Sequence, residues 1–135
     1  MPVELEIVSP EKLLLARRVD MVVMPGDEGD IGVQGEHAPM ILLLRGGTVR
    51  IYEGTQVAEQ LFVSGGYAEI EPSRVTVLAD EAWRIADLSR AEGERRLAAA
   101  QAEFDAADRA NVPAVEAAMA HMQSARAMIE TAPAA

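Results

Sequence analysis

Apolar and polar residues alternate at the start of the chain, with Val3, Leu5 and Ile7 on one side and Glu4 and Glu6 on the other. That period of two belongs to a half-buried strand. Apolar runs of strand length recur at 19–24, 40–44, 48–52, 57–63, 67–70 and 75–78, each bounded by Gly, Pro, Asp or Ser. Many short strands with no helix between them predict an antiparallel sandwich or barrel. Glu53-Gly54 and Glu71-Pro72-Ser73-Arg74 each separate two β-rich runs and predict hairpin turns.

After Trp83 the period becomes helical. Ser89-Arg90-Ala91-Glu92 has the form of a capping box, whose side chains satisfy unpaired backbone N–H groups at a helix start. Leu97, Phe104 and Ala107 then share one face, and Glu92–Arg96 and Asp105–Arg109 are spaced as i,i+4 ion pairs. Asn111 and Pro113 predict a stop and a restart. From there Val115, Ala118, Met119, Met122, Ala125 and Ile129 form an apolar stripe. Two antiparallel helices joined by a short loop follow. Nine of the ten glycines precede residue 87, whereas 17 of the last 49 residues are alanine, so turns dominate first and helix afterwards. The expected fold is α+β: an antiparallel β-sandwich over 1–86, then a two-helix hairpin over 87–135 ending in a short disordered tail. Six large apolar residues on the helical stripes contribute about 1.5–3 kcal/mol each on burial, less than the cost of ordering roughly 40 residues. The hairpin is therefore expected to dock loosely.

The 135 residues suffice for one small domain with an appendage. With no cysteine, disulfides, thiolate metal sites and cysteine nucleophiles are excluded. A net charge of −10 opposes phosphate backbones and anionic lipid headgroups, so neither nucleic acid nor a membrane surface is an expected partner. The N-terminal MPVELEIVSPEK lacks the basic and apolar regions of a signal peptide, and no apolar run approaches membrane-span length. A cytosolic location without membrane insertion is expected.

Candidate chemistry concentrates in PGDEGDIGVQGEHAP, residues 25–39, which holds four acids, four glycines and one of the two histidines. As a calcium loop it fails, because Asp27 and Asp30 break the alternating ligand spacing and glycine stands where a ligand is needed. Two lone histidines far apart do not make a zinc site. Ser64, His37 and Asp80 supply the residue types of a hydrolytic triad, but Ser64-Gly65-Gly66 lacks the Gly-x-Ser-x-Gly elbow and reads as a turn or bulge. The only lysine, Lys12, lies in no glycine loop, so no phosphate-binding loop is present. Tight turns, with Gly26, Gly29, Gly32 and Gly35 allowing positive φ, explain the segment without chemistry. Beside it, Met40-Ile41-Leu42-Leu43-Leu44 is apolar without alternation. Such a run is either covered on both sides or exposed to a partner. A metal- or ligand-binding β-domain and a helical-hairpin adaptor are the alternatives to a docking module.

In order and spacing, Ile7-Val8-Ser9-Pro10, Pro25-Gly26-x-x-Gly29-x-x-Gly32, His37-Ala38-Pro39, Val63-Ser64-Gly65-Gly66 and Val75-Thr76-Val77-Leu78-Ala79-Asp80 resemble the epsilon subunit of bacterial F-type ATP synthases, called delta in mitochondria. The likeness covers essentially the whole chain. It implies a non-catalytic rotor part of the central stalk, binding the gamma subunit and the c-ring on the cytoplasmic side of the bacterial inner membrane. By the same likeness, Asp27, Glu28, Gly29, Asp30, Ile31 and Gly32 are the c-ring contact, and His37, Ala38, Pro39 and Met40 part of the gamma contact. Gly35-Glu36-His37-Ala38-Pro39 departs from the family's Pro-Gly-His-Ala-Pro and puts a carboxylate beside that contact.

Some relatives bind ATP through an Ile/Leu-Asp-x-x-Arg-Ala motif and further arginines of the hairpin. Here Ala86-Asp87-Leu88-Ser89-Arg90-Ala91 loses the apolar first position, leaving Asp87, Arg90 and Arg126 as a vestigial nucleotide site. No cofactor is expected, since a phosphate clamp needs several converging cations. The family's hairpin also contacts the α and β subunits transiently and blocks ATP hydrolysis. Five arginines against eight acids over 87–135 predict weak inhibition.

Overall fold

The computed structural model describes residues 1–134; of the tail expected to be disordered, Ala135 lies outside the described residues. The strands are β1 (Val3–Val8), β2 (Leu13–Val19), β3 (Met21–Gly26), β4 (Gly29–Val33), β5 (Met40–Leu44), β6 (Gly47–Glu53), β7 (Gln56–Val63), β8 (Gly66–Ile70), β9 (Arg74–Ala79) and β10 (Ala82–Arg84). A single 3₁₀ turn, Ile85–Asp87, leads to α1 (Arg90–Ala106) and α2 (Val112–Thr131). The strands form one continuous sheet in the order β10-β7-β6-β3-β5-β8-β9-β1-β2, with β4 added to β3. It folds over itself, so that β10, β7, β6 and β3 face β5, β8, β9, β1 and β2. Pairing is antiparallel throughout except between β1 and β9, which run parallel.

Alternation decides what enters the core. Val3, Leu5 and Ile7 of β1 meet Val75 and Val77 of β9, Ala68 and Ile70 of β8, and Val22, Met24, Val49 and Ile51 of the facing layer, all buried in one apolar cluster. The two expected hairpins form. Glu71 and Arg74 exchange backbone hydrogen bonds of 2.8 and 3.4 Å, and Gly54 turns β6 into β7 at φ +63°. Strands β2, β4 and β10 were not expected. In β2, a register shift opposite Ile7 and Val8 breaks the alternation of Leu13, Leu14 and Leu15, and both Leu14 and Leu15 pack against the core. Glu4 and Arg18 stand opposite each other across the β1–β2 pair, which favours their opposite charges.

The helices start where their caps stand. Ser89 Oγ accepts from the Glu92 N–H at 3.1 Å, and Asn111 Oδ1 from the Ala114 N–H at 3.3 Å. Glu92 does not complete the reciprocal half of a capping box. Its carboxylate instead accepts from Arg96 Nε at 3.0 Å and Arg95 Nε at 2.9 Å, and these bonds, Arg96 first, hold its carboxyl below the usual carboxylate range. The expected Asp105–Arg109 pair does not form, because α1 ends at Ala106. Arg109 lies beyond it, stacked 4.2 Å over the Phe104 ring and donating to the Phe104 carbonyl.

Small residues bring α1 and α2 together. Gly93 and Ala100 are buried on one helix, and Ala118, Ala125 and Met128 on the other. A Cβ on Gly93 would lie 2.8 Å from Ile129 Cγ1 and 3.2 Å from the Ile129 nitrogen. Met119 of the expected stripe points outward, 55% exposed, while Met128 turns inward. Met128 joins Phe62 and Leu88 in a second small cluster bordered by Trp83 and Ile85. Two polar clasps complete the docking. Gln123 bonds both the N–H and the carbonyl of Gly46, at 2.9 and 2.8 Å, and Arg96 forks onto Glu81 at 2.7 and 3.1 Å while lying 5.1 Å above Trp83. Its carboxylate partners, Glu81 first, raise the Arg96 pKa above its already high ordinary value.

Gly93→Val should force the helices apart and destabilise the hairpin by about 1–3 kcal/mol. Faster hydrogen exchange across α1 and α2, with β1 and β9 unchanged, would show it; unchanged exchange would refute the close packing. Glu36 is the only non-glycine residue with positive φ among those described, at +65°. A side chain is disfavoured there, so Glu36→Gly should raise stability by about 1 kcal/mol in denaturant melts, and a loss of stability would contradict the left-handed geometry.

Candidate docking surface

The acidic segment is a hairpin. Strands β3 and β4 pair from Val22 with Val33 down to Gly26 with Gly29, leaving Asp27-Glu28 as a two-residue tip. Of the four glycines expected to supply positive φ, Gly29 alone does so, at +144°. Gly26 is needed for another reason: a Cβ there would lie 2.5 Å from the Gly29 carbonyl oxygen. The tip leans on β5, where the Asp27 N–H donates to the Leu43 carbonyl at 2.9 Å. Arg45 ties it down further, donating from Nη2 to Asp30 Oδ1 at 2.8 Å and from Nη1 to the Gly26 carbonyl. Arg50 Nη2 reaches the other Asp30 oxygen at 3.4 Å. With both oxygens facing arginines, Asp30 is built as an ion-pair partner rather than a cation ligand. Asp27 and Glu28 are exposed, and no hydrogen bond or ion pair engages their side chains among the described residues. Between tip and β5 lies an open groove of about 420 Å³. Ile31, Met40, Leu42 and Leu43 form its apolar lining; Asp27, Glu28 and Asp30 form its acidic rim.

The histidine segment lies at the other end of β5. The Gly35 N–H donates to the Met1 carbonyl at 2.7 Å and the Glu36 N–H to the Pro72 carbonyl at 2.5 Å. His37 Nδ1 lies 2.8 Å from the Ala38 carbonyl oxygen. Strand β5 runs from Met40, opposite Ile70, to Leu44, opposite Gly66, so His37, Ala38 and Pro39 sit a strand's length, about 13–17 Å, from the acidic tip. Met40 is the residue of that group that lines the groove.

The apolar run of β5 is exposed on one side, with Ile41 70% and Leu43 63% accessible while Leu44 is buried. Strand register extends it into a row that was not visible in the sequence. Leu43 pairs with Tyr67, Tyr67 with Leu78, Leu78 with Val8, and Val8 with Leu13. Five apolar side chains thus cross five strands on the outer side of one layer. The other layer carries the helical hairpin, through Phe62 and Trp83. Beside the row, the next register line reads Ile41, Glu69, Thr76, Glu6 and Ala16, and the one beyond it Arg74, Glu4 and Arg18. An apolar centre with a charged margin is the anatomy of a protein interface.

The triad candidates do not share a cleft. Ser64 and Asp80 line a cleft together with His121, not His37. Among the described residues, no hydrogen bond or ion pair joins Asp87, Arg90 and Arg126; Arg90 instead pairs with Glu94 at 3.6 Å. No group of three or more metal-ligating side chains occurs among the described residues.

Residues 2–85 match the family model described as the ATP synthase delta/epsilon chain, beta-sandwich domain. The chain is 56% identical over 128 residues to the ATP synthase epsilon chain of Granulibacter bethesdensis, covering 95% of each chain. It is 50% identical over 132 residues to that of Gluconacetobacter diazotrophicus, covering 98% of this chain and 94% of the relative. Its fold is similar to a chain in the mitochondrial ATP synthase of Euglena gracilis, with a TM-score of 0.71 at 18% identity over 93% of this chain and 78% of that one. A chain of the Tetrahymena thermophila central stalk and c-ring gives 0.61 at 14% identity, over 97% and 96%. The protein thus belongs to the delta/epsilon family of ATP synthase subunits, whose members are accessory rather than catalytic.

Proposed function

We propose that this chain is a central-stalk rotor part that couples the turning c-ring to the gamma subunit, held peripherally on the cytoplasmic side of the bacterial inner membrane. The observation that carries this role is the outward row Leu43, Tyr67, Leu78, Val8 and Leu13, exposed at Leu43, Tyr67 and Leu13, half-buried at Leu78 and Val8, and continuous at Leu43 with the acidic groove. The row suits a long apolar partner surface, and gamma is the partner assigned to it. The tip residues Asp27 and Glu28 suit the polar loops of the ring, because free carboxylates on a tight, glycine-bounded turn reach basic or amide groups with little steric cost. Among the described residues, no helix is long and apolar enough to cross a membrane, which fits a peripheral attachment. Regulation by the hairpin is weak in this view, since its five arginines are outnumbered by eight acids over 87–135, and contact with the α and β subunits is brief.

Leu43→Asp combined with Tyr67→Glu should leave the isolated chain folded, because both side chains are exposed. Loss of burial at two anchors should weaken assembly at least about tenfold. The measurement is recovery of gamma and the c-ring with the tagged chain from membranes; full recovery with the double variant would sink the proposal. Titration with ATP should give no micromolar heat, because a phosphate clamp needs several converging cations and Arg90 is already paired with Glu94. Micromolar binding would overturn the reading of that site as vestigial.

A further inference from the structure

On the docking role proposed above, we infer that Arg45 is the positioning residue of the acidic groove. It fixes the tip and cancels Asp30, so that the groove meets its partner with Asp27 and Glu28 alone and selects a segment carrying a basic side chain beside an aliphatic one. Three observations converge. The backbone around Arg45 is immobilised from both sides. Its own N–H donates to the Pro25 carbonyl at 3.0 Å, and the following Gly46 is held at N–H and carbonyl by Gln123. Gly46 also packs closely on α2, as a Cβ there would lie 2.6 Å from the Ser124 Cα.

The guanidinium, 34% exposed, then spans the two ends of the hairpin turn, bonding the Gly26 carbonyl before it and the Asp30 carboxylate after it. A planar fork can hold two acceptors in fixed geometry, which a lysine ammonium cannot do equally well. An isolated exposed ion pair contributes little, but this one closes a loop whose remaining ties are few. The third observation is charge. Asp27, Glu28 and Asp30 against Arg45 and Arg50 leave one net negative charge at the groove, next to the apolar lining of Ile31, Met40, Leu42 and Leu43.

Charge bookkeeping separates this role from mere bracing. Arg45→Gln makes the groove one unit more negative, and Asp30→Asn one unit less negative. Each releases the tip. Docking of the full-length variants to immobilised particles of gamma and c-ring, stripped of this chain, is measured across salt concentrations, with hydrogen exchange of the Asp27 amide followed in the free protein. Arg45→Gln should exchange about tenfold faster at Asp27 and dock about tenfold more weakly, with a steeper salt dependence. Asp30→Asn should also dock more weakly, with a shallower one. Arg45→Lys, which keeps the charge and loses the fork, should lie between wild type and Arg45→Gln in exchange while keeping the wild-type salt dependence.

Wild-type exchange and docking by Arg45→Gln would overturn the inference, as would salt slopes that move in the same direction for Arg45→Gln and Asp30→Asn. If Arg45→Gln melts early, Arg45→Lys and Asp30→Asn decide through their salt slopes alone. The charge reversal Asp27→Lys with Glu28→Lys distinguishes the two levels. Undiminished docking by that variant removes the docking role of the groove and the inference with it. Loss of docking there, beside unaffected Arg45→Gln, removes only the role of Arg45.

Discussion

A β-sandwich of this size can cover the inner sides of its two layers, but it has only one further element with which to cover an outer side. Here the helical hairpin takes the layer of β7 and β10, resting on Phe62 and Trp83. The other layer has no such cover over its outer row, which is exposed at Leu43, Tyr67 and Leu13 and half-buried at Leu78 and Val8. Exposed leucine by itself is ordinary on a protein surface. Alignment of five apolar residues along one register line is what makes a contiguous patch, and such a patch on a chain with ten net negative charges stays soluble alone yet gains by meeting an apolar partner. The acidic groove lies at the Leu43 end of that row, so groove and row are held by the same strand, β5. Load applied at the tip can pass to the row through hydrogen-bonded backbone rather than through a flexible linker.

The hairpin shows how little apolar area is needed when backbones approach closely. Helix α1 has few large apolar residues, and its buried positions are Gly93 and Ala100. Contact with α2 therefore depends on fit rather than on area, and dispersion falls off steeply once such surfaces separate. Against the sandwich the hairpin relies on one small cluster and the two clasps at Gly46 and Glu81. The second clasp contains charged groups at half-exposed positions, which strong screening weakens.

Much of this fold could be read from residue order. The alternation in β1, β6 and β9, the turn at Glu71-Pro72-Ser73-Arg74, and the caps Ser89 and Asn111 each act locally, and each stands where its local physics puts it. Strand β4 was hidden because Gly-Asp-Ile-Gly-Val pairs through backbone hydrogen bonds with little side-chain pattern; β2 was hidden by its register shift, and β10 by its length of three residues. The burial of Met128 in place of Met119 depends on Phe62 and Leu88, partners outside α2 that α2's own sequence cannot reveal. At the candidate site, the tip at Asp27-Glu28 and the exposed run from Met40 were legible as a loop beside an apolar segment. The row was not, since each of its strands contributes one outward apolar residue and only long-range pairing aligns them. Nor was the capture of Asp30 by Arg45 and Arg50, 15 and 20 residues away in sequence.

In the proposed assembly, the stalk covers the outer row of β5, β8, β9, β1 and β2. Site-specific photocrosslinking in intact membranes tests it most directly, with a photoreactive phenylalanine replacing Tyr67 and, as a control on the hairpin's outward side, Met119. A strong adduct between position 67 and the gamma subunit is expected during ATP synthesis, and a much weaker one from position 119. Position 67 reacting only with water, while the complex remains intact and active, would contradict it.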